Sequence, residues 1–165
     1  MSEGGKDSPS FSENATRTGY YLAKFVSKKS AMLNPIQTLN SVHYNPLLRK
    51  SEVLLNFAEA ANELAAVPTQ DALDALNAVR TNAGLEGKTL AELSTKTLFR
   101  QAVYKERRLE LALECDRWFD IVRTGQMAAI FPGIDAYRQL YPVPQTEIEN
   151  VNDKAGWQNE GYALE

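Results

Sequence analysis

The sequence is poor in the residues from which disulfide frameworks and metal centres are built. Cys115 is its one cysteine and His43 its one histidine. A single thiol excludes an intramolecular disulfide, and a single imidazole excludes zinc sites built on two or three histidines. Cys115 stands between two acidic residues that disfavour a thiolate, so we expect a semi-buried structural thiol. His43 is expected in a solvated loop, and no metal or cofactor is expected.

The chain also lacks a long apolar run and an excess of positive charge. No segment approaches the roughly 20 apolar residues that span a bilayer. The polar start, MSEGGKDSPSFSENATRTG, has no apolar stretch of the kind found in signal peptides. The net charge is −3, and the basic residues are dispersed apart from one central segment. Nucleic acid is therefore not an expected partner, because its binding needs a concentrated basic surface.

The length allows one domain with a genuine core. Residues 1–18 contain almost no large apolar side chains and are expected to form a flexible arm. A mainly α-helical domain is predicted over residues 19–163, and residues 164–165 are interpreted as a possible cloning remnant. Within the domain, residues 19–26 (GYYLAKFV) are typical of a short extended segment. Residues 27–46 have loop composition.

Two helices are predicted in the middle of the chain. The first begins after Pro46 and is ended by Pro68. Thr69 is expected to cap the second helix, and Gly84 to end it in a left-handed conformation. The apolar positions at helical spacing are Leu54, Phe57, Ala58, Ala61, Leu64 and Ala65 in the first helix and Ala72, Leu73, Leu76 and Val79 in the second. The short connection predicts an antiparallel αα-hairpin of tetratricopeptide type, which needs neighbours to cover its faces.

A long central helix is predicted from about Thr97 to Glu114, after a turn or short helix at residues 90–94. Its apolar positions are Leu98, Phe99, Ala102, Val103, Leu109, Ala112 and Leu113. Glu106 falls inside this stripe, and a carboxylate that faces a core needs a partner. The nearby candidates are Arg107, Arg108, Arg117 and Arg123. We therefore predict a structural ion-pair network that comprises Glu106, Arg107, Arg108, Glu110, Arg117 and Asp120.

Two chemical alternatives for this segment are weaker. Glu106 and Glu110 could form a carboxylate pair, but a glycosidase needs carboxyl groups about 5–9.5 Å apart on either side of a sugar. Neighbouring arginines would lower the carboxyl pKa values, which opposes general-acid catalysis. The arginines could instead bind an anion, but the surrounding acids neutralise them. No phosphate-binding loop, nucleophile motif or metal-binding spacing occurs, and we expect no enzymatic activity.

A shorter helix is predicted to follow and to end at Gly125. In it Trp118 and Phe119 are expected to be core aromatic residues, because Trp118 begins an apolar set at helical spacing. One further helical turn is predicted at residues 127–130, before Pro132.

The C-terminal region has little helical pattern. Residues 141–144 (Tyr-Pro-Val-Pro) must be extended, since each proline restricts its own backbone and that of its predecessor. The tail from Asn150 is polar and carries Trp157 and Tyr162. These two aromatic rings either pin the tail to the body of the protein or face a ligand.

Several segments resemble the C-terminal part of the SusD/RagB family. They are LRKSEVLLNFAEAANEL at 48–64, ALNAVRTNAGL at 75–85, ERRLELALECDRWFDIVRTG at 106–125 and YPVPQTEIEN at 141–150. The 19–26 segment resembles the one that precedes the helical hairpin in that family. The end of the tail resembles the family's Asn-Pro-Gly-Tyr terminus, with Glu160 in place of proline. Cys115-Asp116 also departs from the family pattern, which commonly has a glycine there.

The resemblance implies a non-catalytic, surface-exposed outer-membrane lipoprotein of Bacteroidetes-type bacteria. Such proteins act in polysaccharide utilisation: they capture oligosaccharides or other nutrients and serve a TonB-dependent transporter. Family members are much longer and begin with a lipoprotein signal and a lipidated cysteine, which this chain is expected to lack. No motif here matches the family's glycan-contacting residues, so the ligand site is unassigned. The alternative is a helical scaffold or protein-interaction module that binds no glycan.

Overall fold

The part of the chain that the structure describes is built from helices. This computed structural model describes Lys24, residues 46–151 and residues 156–163. Its helices are α1 Lys50–Leu64, α2 Gln70–Asn82, α3 Lys96–Glu110, α4 Arg117–Arg123, α5 Met127–Ile130 and α6 Gln145–Glu149, with a 3-10 helix at Ala136–Gln139. Because no strand occurs among these residues, the all-α prediction is confirmed. The predictions for His43, for residues 1–45 other than Lys24 and for residues 164–165 lie outside the described residues.

The chain divides into two units, Met1–Arg49 and Lys50–Glu165, and all of these helices belong to the second. Within it, α1 and α2 form the predicted αα-hairpin, and α3 packs mainly against α1. The hydroxyl of Thr69 accepts a hydrogen bond from the backbone N–H of Ala72, which confirms the predicted cap. None of the helices in the described part is long and apolar enough to cross a bilayer.

The end of α2 is closed by backbone hydrogen bonds around Gly84. The N–H of Gly84 donates to the carbonyl of Thr81, and the N–H of Leu85 donates to that of Arg80. This pattern requires a left-handed residue between them, and Gly84 has φ of +75°. The predicted end of the helix is therefore confirmed.

The hydrophobic core lies between the hairpin and α3. Its buried members are Leu55, Ala58, Ala72, Leu73, Ala75, Leu76, Val79, Leu93, Phe99 and Val103. The whole predicted face of α2 is buried, but the predicted face of α1 is partly wrong. Phe57 is 50% exposed and Leu64 is 89% exposed, whereas Leu55 and the polar Asn62 are fully buried. Apolar and alanine side chains surround most of α1, so periodicity alone did not select the side that its neighbours cover.

Helix α3 ends earlier than predicted. It stops at Glu110 rather than Glu114, because Leu113 and Cys115 adopt left-handed backbone conformations with φ of +70° and +69°. Such conformations interrupt a right-handed helix. The irregular turn leaves Leu113 and Cys115 exposed, so the prediction of a semi-buried thiol is wrong.

The apolar stripe predicted for α3 is also only half right. Phe99 and Val103 are completely buried, and Ala102 packs against the core. Leu98 and Leu109 are exposed, and both lie at one edge of this stripe. The core thus covers the centre of the predicted stripe but not the edge that carries Leu98 and Leu109.

The C-terminal region follows the prediction in part. The single turn at Met127–Ile130 is present, and Pro144 has the extended dihedrals φ −55° and ψ 136°. Helix α6 was not predicted from the sequence. It is anchored by Ile148, which is 1% exposed. A five-residue helix contains too few residues to display a helical period.

The cap at Gly84 provides a test of the backbone at the end of α2. We expect Gly84→Ala to lower the free energy of unfolding by about 1 kcal/mol, because the methyl group meets no other atom but strains the left-handed backbone. The matched control is Gly133→Ala, where the added methyl group also meets no other atom and no positive φ is present. Urea denaturation measures both, and equal effects of the two substitutions would contradict this explanation.

Candidate functional site

Charged side chains form a cluster that links the first four helices. We call it the polar cluster, and its members are Glu59 of α1, Arg80 of α2, Glu106 and Arg107 of α3, and Asp120 and Arg123 of α4. Among them Glu106, Arg107 and Asp120 are buried. Helical periodicity places Glu106 on the core side of α3, and each buried charge in the cluster meets an opposite one.

Glu106 pairs with an arginine outside the segment that contains it. The side chain of Arg80 donates to the Glu106 carboxylate at 2.8 Å and to the backbone carbonyl of Glu86 at 3.1 Å. Glu106 itself is 2% exposed. The sequence indicated a buried carboxylate, but the partner expected from proximity along the chain was not the one used. Arg80 reaches Glu106 only because α2 packs beside α3.

A second ion pair joins α3 to α4. The Nε atom of Arg107 donates to both carboxylate oxygens of Asp120, at 3.0 and 3.1 Å. The same guanidinium donates to the side-chain oxygen of Asn56 on α1. Arg107 is thereby held by two helices at once, and its burial is compensated on both sides.

Arg123 extends the cluster toward the surface. It donates to both oxygens of Glu59, at 2.6 and 2.8 Å, and also to Asp120. The hydrogen bonds that Arg123 donates to Glu59, and then those that it donates to Asp120, raise the pKa of its guanidinium above the ordinary value against the effect of burial. On the neighbouring surface of α3, burial and then the charge of Glu59 raise the pKa of the Tyr104 phenol. Sequence reasoning did not single out Glu59, because it carries no motif.

Three residues predicted for the ion-pair network, Arg108, Glu110 and Arg117, are not members of the polar cluster. Within residues 46–151 and 156–163, neither Arg108 nor Arg117 forms an ion pair, and Arg108 is exposed. Glu110 is half-buried at the last position of α3. Each residue of a helix advances the direction of the side chain by about 100°. Arg108 therefore lies about 200° around α3 from Glu106, on the side away from the polar cluster.

The two aromatic residues of α4 have different environments. Trp118 is half-buried, and its ring centroid lies 6.4 Å from that of Phe131. Phe119 is 59% exposed, so its assignment to the core is wrong. Ile121, two positions further on, occupies the buried side of this short helix instead.

The geometry of the polar cluster suits a structural role. Every carboxylate in it accepts hydrogen bonds from an arginine, so each of these acids has a partner inside the protein. Within the described part of the chain, no group of three or more acidic, histidine or cysteine side chains could hold a metal ion.

The described part of the tail, residues 156–163, is fastened to the extended segment around residues 140–143. The side-chain amide of Gln158 accepts from the backbone N–H of Val143 at 2.9 Å and donates to its carbonyl at 3.2 Å. The Tyr162 hydroxyl donates to the carbonyl of Leu140 at 2.8 Å. Tyr162 therefore pins the tail, whereas Trp157 remains 51% exposed.

Removing one partner of a buried pair tests the polar cluster. We expect Glu106→Ala to lower the free energy of unfolding by about 3 kcal/mol, because Arg80 would lose its charged partner. The matched control is Arg108→Ala on the same helix, which should change it by less than about 0.5 kcal/mol. Chemical denaturation followed by circular dichroism measures both values. A loss under about 0.5 kcal/mol for Glu106→Ala would show that this carboxylate is solvated.

Comparison with known proteins shows which family this chain resembles. The family model described as the SusD family matches residues 2–135. SusD-like protein P2 of Formosa agariphila is 33% identical over 137 residues, which are 74% of this chain and 26% of that protein. SusD-like protein P25 of the same organism is 35% identical over 112 residues, or 66% of this chain and 20% of that protein. No solved structure matches the chain.

The match thus spans about a quarter or less of the length of these curated relatives. The match to the family model over residues 2–135 includes the hairpin, α3 and α4, and hence the whole polar cluster. The chain belongs to the SusD family.

Proposed function

We propose that this chain is part of a non-catalytic nutrient-binding protein that captures oligosaccharides at the bacterial outer-membrane surface. We further propose that the full-length protein is a surface lipoprotein and that it delivers its ligand to a TonB-dependent transporter. The observation that carries it is the family match over residues 2–135. The structure supports the non-catalytic part of the proposal, because the carboxylates of the polar cluster are paired with arginines.

The described surface also offers aromatic rings for ligand contact. Tyr141 is 63% exposed, and Trp157 lies two residues from Asn159, whose side chain donates to the Tyr141 carbonyl at 2.7 Å. The resemblance to the family leads us to expect sugar recognition by such exposed rings. Tyr141 and Trp157 are therefore the aromatic residues that we assign to glycan contact.

Calorimetric titration with a panel of saccharides tests the proposal. The panel contains neutral tetrasaccharides of glucose, xylose and galactose and matching oligosaccharides of galacturonate. We expect saturable binding of at least one of them, with no new reducing ends formed during incubation. A full-length member of the family is the positive control. Absence of binding by this chain across a panel that the control recognises would overturn the proposal.

A second candidate function, a helical scaffold, is favoured by one feature of α1. Val53, Phe57, Ala60 and Leu64 are all exposed and recur at i, i+4, i+7 and i+11. They form an apolar stripe on the side of α1 opposite its buried residues. A packed neighbour would remove that stripe from water.

Light scattering coupled to size-exclusion chromatography distinguishes this candidate from glycan capture. A scaffold is expected to self-associate or to form a stable complex through the stripe, and Phe57→Ser should abolish that association. Leu109→Ser, at an exposed apolar position on α3, is the matched control. A wild-type chain that remains monomeric at all concentrations and forms no complex would exclude the scaffold.

A further inference from the structure

A groove lies between the end of α4, the 3-10 helix and the tail. Its volume of about 570 Å³ falls in the range that accommodates small ligands. The walls are mainly apolar, and the lining includes Val122, Ala136, Tyr137 and Leu140. The groove is distinct from the polar cluster, and most of its lining lies beyond the residues that the family model matches.

The tail forms one wall of this groove, and its position is set by a close contact. Gly161 lies against the ring of Tyr137, where a Cβ atom would overlap the ring carbons. The ring of Tyr162 meets that of Tyr137 edge-on at a centroid distance of 5.0 Å. Together with the hydrogen bonds of Gln158, these contacts hold the neighbouring Glu160 at the edge of the groove.

Two polar side chains line the groove and are not used within the described structure. They are Gln139 on the 3-10 helix and Glu160 on the tail. In residues 46–151 and 156–163, the Glu160 carboxylate forms no ion pair, and neither side chain has a hydrogen-bond partner. Their donors and acceptors are therefore available to a ligand that occupies the groove.

We propose that this groove binds one residue of a neutral saccharide. The inference rests on the proposed function and assigns a contact site for it. A sugar ring presents C–H groups on its faces and hydroxyl groups around its edge. The aliphatic side chains of Val122, Ala136 and Leu140 provide a surface for the C–H groups. The carboxylate of Glu160 accepts hydrogen bonds from hydroxyl groups, and the amide of Gln139 both donates and accepts.

The charge of Glu160 specifies the class of sugar. A carboxylate acceptor forms stronger hydrogen bonds with hydroxyl donors than a neutral acceptor does. The same negative charge repels the carboxylate of a uronic acid. The groove is therefore selective for neutral over acidic saccharides.

The test uses the neutral tetrasaccharide that the wild-type chain binds most tightly in the panel described above. We expect Glu160→Ala to weaken its binding by at least about 10-fold, because a charged hydrogen-bond acceptor is lost. Glu160→Gln should retain part of the affinity and reduce the discrimination against galacturonate oligosaccharides. Glu147→Ala, at an exposed carboxylate of α6 outside this lining, is the matched control and should bind as the wild type does.

A second variant makes the test independent of hydrogen bonding. Ala136→Trp fills the groove at an exposed position and should abolish binding, while circular dichroism reports whether the helices remain intact. Unchanged affinity in both Glu160→Ala and Ala136→Trp would overturn the groove assignment but leave the proposed function standing. A wild-type preference for galacturonate would also overturn it. Absence of any saccharide binding would instead reject the proposed function, and this inference with it.

Discussion

The burial of Glu106, Arg107 and Asp120 is the constraint on which the arrangement of the first four helices depends. An ionised group removed from water is costly unless an opposite charge and further hydrogen bonds meet it. In this protein the partners come from different helices, so each pair specifies which helix lies beside which. Arg80 connects α2 to α3, and Arg107 connects α3 to both α1 and α4. Such pairs add little net stability over a well-packed apolar core, and their main consequence is a particular arrangement.

This use of charge separates the framework from ligand recognition. The segment 106–125 resembles the family most specifically, yet its buried acids and Arg107 and Arg123 are occupied with partners inside the protein. For the function that we propose, we therefore expect the ligand to bind outside the polar cluster. The groove beside the tail has the opposite character: apolar walls, with the polar groups of Gln139 and Glu160 not committed to partners in the described structure. The same chain thus combines a polar cluster whose charges pair with one another and a groove that offers hydrogen-bonding groups to a ligand.

The tail shows how side chains can replace a β-strand partner. The amide of Gln158 serves both the N–H and the carbonyl of Val143, as a neighbouring strand would, because an amide group is donor and acceptor at once. Asn159 and Tyr162 satisfy two further carbonyls of the extended segment. Prolines in that segment limit regular strand pairing, since proline has no N–H to donate. This attachment is what creates a wall for the groove.

The amino-acid sequence alone was enough to predict the features that depend on neighbouring residues. The cap at Thr69, the left-handed end at Gly84 and the burial of Glu106 follow from local hydrogen bonding or helical period. Which side of α1 is buried depends on the tertiary structure, because apolar residues lie around most of that helix and packing against its neighbours covers only one side. The tertiary structure also decided that Arg80 is the partner of Glu106 and that the tail lies against the 3-10 helix. Those contacts join residues far apart in the chain, and no local pattern encodes them.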